Sequence, residues 1–92
     1  MIEVRHAPEH DRYEVALDGQ MVGLLDYRRG RDGAVHLTHA EVSPRVGGRG
    51  VGSALVRGAL DDLAEKGERI VPVCSFVRSV VRDNPDYQRL VA

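Results

Sequence analysis

The 92-residue sequence contains little cysteine, tryptophan or lysine, and these shortages exclude several classes of protein. Cys74 is the single cysteine, so the chain forms no internal disulfide and no metal site of the CxxC type. Lys66 is the single lysine, and 13 basic residues stand against 14 acidic ones for a net charge of -1. This balance, without a basic amphipathic face, argues against nucleic acid or a membrane surface as a partner.

Long apolar runs are also absent from the sequence. No segment approaches the roughly 18 apolar residues that a membrane span needs, and the first ten residues lack the apolar core of a signal peptide. We therefore expect a cytoplasmic protein. The length suits one small domain over residues 1–92, either as a monomer or as a homodimer.

Strand patterns fill the first half of the chain. Apolar residues alternate with polar ones over residues 2–6 and 13–17, and further apolar runs cover residues 21–27 and 34–42. Asp18-Gly19 has the composition of a tight hairpin turn. We expect four strands here, the last of them ended by Ser43-Pro44.

Helical spacing dominates the second half. Residues 53–65 predict an amphipathic helix that Gly67 ends, and residues 69–73 predict a fifth strand. Pro72 cannot donate to a sheet ladder, so this strand is an edge or leaves its neighbour there. Ser75 is expected to cap a second helix with a core-facing stripe of Phe76, Val77, Val80 and Val81, and a last helical turn follows Asn84-Pro85. The order ββββαβαα defines an α+β fold with a mostly antiparallel sheet and one right-handed crossover.

The segment Gly47-Gly48-Arg49-Gly50-Val51-Gly52 joins the fourth strand to the central helix. Its glycines leave backbone N–H groups bare at the positive end of a helix dipole, which is a binding site for phosphate or pyrophosphate. The loop lacks the Gly-Lys-Ser/Thr ending of a nucleoside triphosphatase. A dinucleotide-binding fold needs a parallel sheet and an acidic residue at the end of the strand after the loop. Four strands precede this loop, and the next strand ends at Val73-Cys74, so this fold is disfavoured. A glycine-rich turn without a ligand is the remaining alternative.

The loop and its flanks resemble the coenzyme A motif of the GNAT N-acetyltransferases, which is Arg/Gln-x-x-Gly-x-Gly/Ala. Gly50 and Gly52 match its two small positions, whereas Gly47 stands where Arg or Gln is usual. His39-Ala40-Glu41-Val42 and the segment from Val71 to Val77 are similar to the small, single-domain YjdJ-type branch of that superfamily. The resemblance covers nearly the whole chain.

This resemblance implies that the fourth and fifth strands splay apart and that pantetheine lies in the gap. The residues that it assigns to acetyl-coenzyme A are Val42, Gly47, Gly48, Arg49, Gly50, Val51, Gly52 and Ser53. A backbone N–H near Val42 can polarise the thioester carbonyl. Arg45 or Arg49 can replace the charge that is missing at Gly47.

Three side chains are candidates for catalysis. His39 and Glu41 lie two residues apart on one strand face and can accept a proton from the amine, although both can equally be rim or surface residues. Cys74 follows a strand and precedes a helix, where the dipole favours a thiolate that can take the acetyl group; the alternative is a small buried hydrophobic residue. Tyr87 is a candidate for protonating the departing thiol, or else it packs the terminal helix.

The sequence therefore predicts an acetyl-coenzyme A-dependent N-acetyltransferase that acts on a small-molecule or peptide amine, by direct attack or through Cys74. The acceptor is not identified by the sequence. A non-catalytic module that binds acyl-coenzyme A is the main alternative, and a structural or interaction domain is another. We expect no metal, because His6, His10 and His36 are scattered without ligand spacing.

Overall fold

The computed structural model describes residues 1–47 and 49–92, so Gly48 of the predicted coenzyme loop lies outside the described residues. The described residues form five strands: β1 (Ile2–Ala7), β2 (Arg12–Leu17), β3 (Gln20–Arg29), β4 (Val35–Val42) and β5 (Ile70–Pro72). The helices are α1 (Val51–Glu65) and α2 (Ser75–Asp83). Short 3-10 helices cover Pro8–His10, Pro44–Val46 and Pro85–Leu90, so the last predicted helix is a 3-10 helix.

The sheet has the strand order β1-β2-β3-β4-β5, in which the first four strands are antiparallel and β5 is parallel to β4. Helix α1 makes the crossover between β4 and β5, which confirms the predicted α+β architecture. The β2–β3 hairpin turns at Asp18 and Gly19, whose φ angles of 52° and 84° are those of a type I′ turn.

A bulge in β4 changes which residues face the helices. Tyr27 pairs with Leu37 and Asp26 with His39, so Thr38 has no partner of its own on β3. Before the bulge, Val35 and Leu37 point into the core; after it, the inward positions pass to Ala40 and Val42. His39 and Glu41 consequently lie on the opposite, open face of the sheet.

Helix α1 supplies much of the hydrophobic core. Its buried residues recur at helical spacing and pack on the inward side chains of the sheet together with α2; they are Val51, Leu55, Val56, Ala59, Leu60 and Leu63. The helix ends in a Schellman motif, in which Gly67 N–H bonds to the Ala64 carbonyl and Glu68 N–H to the Leu63 carbonyl. At the other end of α1, a Cβ on Gly52 would lie 3.7 Å from the Val42 side chain, so the helix N-terminus lies beside the end of β4.

The open face of the sheet carries a buried carboxylate. The Glu14 side chain is 7% exposed and accepts hydrogen bonds from Arg5 (2.7 and 3.1 Å) and Arg12 (2.9 Å). These two guanidinium groups hold the pKa of Glu14 below its usual value. The network ties β1 to β2 on the face that no helix of the described chain covers.

This network predicts that part of the stability is lost in acid. A carboxylate with a lowered pKa in the folded state contributes fully above its ordinary pKa of 4.5, and that contribution disappears as the pH falls through the folded-state pKa. We expect Glu14→Gln to lose roughly 1–3 kcal/mol of unfolding free energy at neutral pH. Its stability should also fall less steeply than that of the wild type between about pH 5 and pH 3. Urea unfolding across this range measures both effects, with exposed Glu3→Gln as the control; parallel slopes would contradict the assignment.

Candidate active site

The strands β4 and β5 separate after three residue pairs. Val35 pairs with Ile70, His36 with Val71 and Leu37 with Pro72, where β5 ends. Beyond that point the chain turns, with Val73 N–H donating to the Val71 carbonyl (3.0 Å). β4 continues alone to Val42, which opens a gap in the sheet as the position of Pro72 predicted.

The free edge of β4 presents backbone amides to this gap. Ser43 N–H donates to the Val22 carbonyl on β3 (2.7 Å), so Ser43 directs its backbone groups toward β3. The backbone groups of successive residues in a strand point alternately to its two neighbouring strands. Those of Val42 and Ala40 therefore point away from β3, to the side that β5 has left. An extended ligand in the gap can therefore pair with β4 as a strand would.

Helix α1 begins at the mouth of the gap with an open N-terminus. Gly50 is its N-cap, with a left-handed φ of 73°, and no side chain caps the first turn. That turn also contains no acidic residue, so its N–H groups remain available to an anion. Arg45 and Arg49 are exposed beside it. This geometry suits an anionic group such as a pyrophosphate.

The gap and the helix N-terminus form one cleft of about 450 Å³. Its lining contains most of the predicted coenzyme residues and three further ones; the lining residues are Ala40, Val42, Val46, Gly47, Gly50, Val51, Gly52, Ser53 and Phe76. Arg49 is exposed nearby but is not among the lining residues. The cleft therefore runs from the α1 N-terminus to the free edge of β4.

Sequence reasoning placed Phe76 in the core, whereas the structure places it in the cleft. Its side chain is 40% exposed, and its ring lies so close to Gly52 that a Cβ there would meet the ring at 3.1 Å. Val77, Val80 and Val81 do form the buried stripe of α2. The sequence contained one sign that Phe76 lies outside the core. Phe76 and Val77 are adjacent and point about 100° apart on a helix, so they do not have to face the same core.

Cys74, not Ser75, is the N-cap residue of α2, and Ser75 is the first residue of the helix. Cys74 N–H donates to the carbonyl of Leu37 (2.9 Å), the last residue of β4 that pairs with β5. This bond attaches the start of α2 to β4. Its half-buried side chain packs against the core. Phe76 lines the cleft, whereas Cys74 is not among the described residues that line it.

His39 and Glu41 share the open face of β4, as alternation predicted. His39 Nε2 and Glu41 Oε2 are 3.4 Å apart, and the side chains are 57% and 65% exposed. Glu41 lines a second, shallower trough of about 310 Å³ on this face. β4 thus separates a cleft with free amides from a trough with a carboxylate.

Tyr87 is held away from the cleft. Its hydroxyl donates to Asp61 Oδ1 on α1 (2.8 Å), and burial together with this carboxylate raises the pKa of Tyr87. It lines a surface hollow with Arg57 and Asp61 instead of the β4–β5 cleft. The packing role is the one that this geometry supports.

Within residues 1–47 and 49–92, no three His, Cys, Asp or Glu side chains come together as metal ligands would. In the same part of the chain, every helix is too short or too polar to cross a membrane.

Comparison with known families identifies this arrangement. Residues 12–90 match the model of the GCN5-related N-acetyltransferases, and the chain belongs to that family. It is 32% identical over 87 residues to protein NATD1 of Bos taurus, covering 91% of this chain and 75% of the relative. NATD1 of Gallus gallus is 31% identical over the same length, with 77% of that protein covered.

Solved structures show the same fold. A GCN5-like protein from Staphylococcus aureus superposes with a TM-score of 0.73 at 21% identity, over 98% of this chain and 87% of the other. An aminoglycoside acetyltransferase from a soil metagenomic sample gives a TM-score of 0.56 at 16% identity, over 78% and 54% of the two chains. At these identities the similarity concerns the fold alone.

Proposed function

We propose that the protein transfers the acetyl group of acetyl-coenzyme A to the amine of a small molecule or peptide. The observation that carries this proposal is the continuous cleft in which the free amides of β4 meet the uncapped N-terminus of α1. One end suits an extended chain of amides, and the other suits a pyrophosphate. Family membership supports acetyl transfer in general.

The loop and β4 have distinct tasks in this proposal. The N–H groups of the first turn of α1 bind the pyrophosphate, and Arg45 or Arg49 adds positive charge. The Ala40 and Val42 amides pair with the pantetheine arm. Of these, the Val42 N–H points at the developing oxyanion and polarises the carbonyl.

The exposed pair on β4 takes the proton. An amine enters mostly as an ammonium ion and must lose a proton before its nitrogen attacks the carbonyl carbon. His39 accepts it directly, or Glu41 accepts it through a water molecule. The C–N bond then forms, the C–S bond breaks, and coenzyme A leaves as the thiol.

Direct attack is favoured over a route through Cys74, because the cysteine packs against the core and does not line the cleft. We expect Cys74→Ser, which places a good capping residue at the N-cap of α2, to change kcat by less than about tenfold, or roughly 1.4 kcal/mol of barrier. Intact-protein mass spectrometry should show no acetyl adduct on the wild type after incubation with acetyl-coenzyme A. An adduct that the variant lacks would establish the two-step route instead.

A non-catalytic module that binds acyl-coenzyme A is the second candidate. Gly47 in place of Arg or Gln, and the high exposure of His39 and Glu41, favour it. Both candidates require the same cleft. They differ only in turnover.

Calorimetry with acetyl-coenzyme A, followed by a panel of amines, tests both candidates. We expect saturable binding and release of free thiol with at least one amine. Binding without thiol release across the panel would favour the module, and no binding at millimolar concentrations would refute both. Gly47→Gln provides an internal check, because the new amide should tighten binding once the Pro44 carbonyl oxygen, which a Cβ at Gly47 meets at a tight 3.3 Å, has moved by a few tenths of an ångström.

A further inference from the structure

Strand β1 lies at one edge of the sheet, and its outer side is open. The other edge is partly covered, since Ile70 of β5 bridges to Val91 and accepts a hydrogen bond from Ala92 N–H (2.8 Å) at its carbonyl. Among the described strands, β1 pairs with β2 alone. In residues 1–47 and 49–92, no backbone group bonds to the outer side of β1.

The backbone groups on this open side belong to Ile2, Val4 and His6. Asp18 N–H donates to the Met1 carbonyl (3.0 Å), so the pair at the start of the ladder is hydrogen-bonded. In an antiparallel ladder, such pairs alternate with pairs that are not hydrogen-bonded. The register with β2 continues along β1 without a shift, so the odd-numbered residues bond to β2 and the even-numbered ones face outward.

The edge lacks the features by which proteins protect edge strands, which are proline, lysine, a bulge or a covering loop. Residues 2–7 contain no proline and no lysine, and the pairing with β2 has no bulge. The strand is also held in place from the helix side. A Cβ on Gly58 of α1 would lie 2.9 Å from Val4 Cβ, and His6 Nε2 forms a hydrogen bond with the Tyr27 hydroxyl (2.6 Å). An ordered, unprotected edge is suited to pairing with another strand.

The sequence of β1 is complementary to itself in one antiparallel register. Hydrogen bonds across the open edge must join even-numbered residues, which allows a two-fold axis at residue 3, 4 or 5. An axis at residue 3 places two glutamates opposite each other, and an axis at residue 5 places two arginines opposite each other. With the axis at Val4, Glu3 lies opposite Arg5 of a second copy, and residues 2–6 of both strands are paired.

Arg5 has a donor left for this contact. Its Nε and Nη2 both bond to Glu14 Oε1 (3.1 and 2.7 Å), which fixes the guanidinium group, while Nη1 takes no part in these bonds. The Arg5 side chain is 69% exposed, and Glu3 on the same face is also exposed. In this register Glu3 and Arg5 form pairs that are not hydrogen-bonded, in which opposite side chains come closest.

We propose that the open edge of β1 is an interface with a second copy of this chain. Two β1 strands pair antiparallel about a two-fold axis at Val4, and the two five-stranded sheets become one continuous sheet. Two Glu3–Arg5 contacts, related by the axis, fix the register. The gap between β4 and β5 lies toward the opposite edge of each sheet, so both clefts stay accessible.

Hydrogen exchange, quenched and read residue by residue, tests the interface. We expect the Val4 and His6 amides to exchange slowly at millimolar protein concentration and quickly at low micromolar concentration. The Glu3 and Arg5 amides bond to β2 and should exchange slowly at both concentrations. Sedimentation velocity over the same range should show the monomer giving way to a dimer.

Glu3→Arg tests the register. It places two arginines opposite each other at both contacts, and we expect the dissociation constant of the dimer to rise by about tenfold or more. Glu9→Arg makes the same change of charge at an exposed residue outside β1 and should dimerise as the wild type does. Both side chains are exposed, so both variants should unfold in urea as the wild type does at monomer concentrations.

Three outcomes would contradict the proposal. A chain that stays monomeric at millimolar concentration, with Val4 and His6 amides that always exchange quickly, overturns it and leaves the edge to a strand of a different protein. A dimer in which these two amides still exchange quickly has its interface elsewhere. Equal dissociation constants for Glu3→Arg and the wild type refute the register about Val4.

Discussion

The Gly50→Val variant should bind coenzyme A at least about tenfold more weakly than the wild type. Gly50 is the N-cap of α1 with a φ of 73°, a conformation that costs a residue with a Cβ about 1–2 kcal/mol, and more when the side chain is β-branched. The backbone can relieve this strain only by turning the first-turn amides away from the anion site. The valine side chain would also enter the cleft that Gly50 lines. Calorimetry with coenzyme A measures the loss.

Gly67→Val is the matched control for this experiment. Gly67 has a φ of 72°, and at both glycines an added Cβ would meet nothing within 4 Å. It follows the other end of the same helix, roughly 22 Å away for a helix of this length. The two variants should therefore lose similar stability in urea unfolding, while only Gly50→Val loses affinity. Equal affinities would show that the α1 N-terminus does not hold the ligand.

Local chemistry explains why much of this fold is predictable from the sequence. Asp18-Gly19 allows the two positive φ angles of the hairpin, and Gly67 allows the left-handed residue that ends α1. Pro72 lacks the N–H that a longer β5 would use, and the strands part at that residue. In each case the conformation depends on a few neighbouring residues, so a single sequence contains the necessary information.

The bulge at Thr38 could not be predicted in the same way. Strict alternation from Leu37 would place His39 in the core and Ala40 outside, yet the extra residue reverses both positions. The reversal arises from the register between β3 and β4, which is a property of two strands together. The cleft-facing amides of Ala40 and Val42 depend on it, and so does the place of Glu41 on the open face.

Phe76 and Cys74 illustrate a second limit. Both lie at the start of α2. The sequence predicts Phe76 in the stripe of α2 and leaves Cys74 as either a site residue or a small buried hydrophobic one. In the structure, the bond from Cys74 N–H to the Leu37 carbonyl marks where α2 begins. The Phe76 ring is then directed over Gly52 and the Cys74 side chain against the core. These orientations depend on a contact between residues far apart in the sequence, which a local pattern does not contain.

The Val42→Pro variant should lower kcat by about 100-fold or more, the effect of removing one donor to an oxyanion. The substitution removes a backbone N–H that points into the gap, whereas the amides that bond to β3 belong to its neighbours, such as Ser43. Val42 is also the last residue of β4, and Glu41 before it is already extended, so proline at Val42 costs no hydrogen bond to β3 and follows a residue of suitable conformation. Acetyl transfer at saturating acetyl-coenzyme A measures the rate, and urea unfolding measures the stability.

Val42→Ala separates the amide from the side chain in this test. Alanine trims the lining of the cleft but keeps the N–H, so we expect it to retain kcat within about tenfold. If both variants lose the rate equally, the valine side chain matters and the amide does not. If Val42→Pro keeps the wild-type rate with unchanged stability, the carbonyl is polarised elsewhere. The free edge of β4 would then bind the pantetheine arm without taking part in the chemical step.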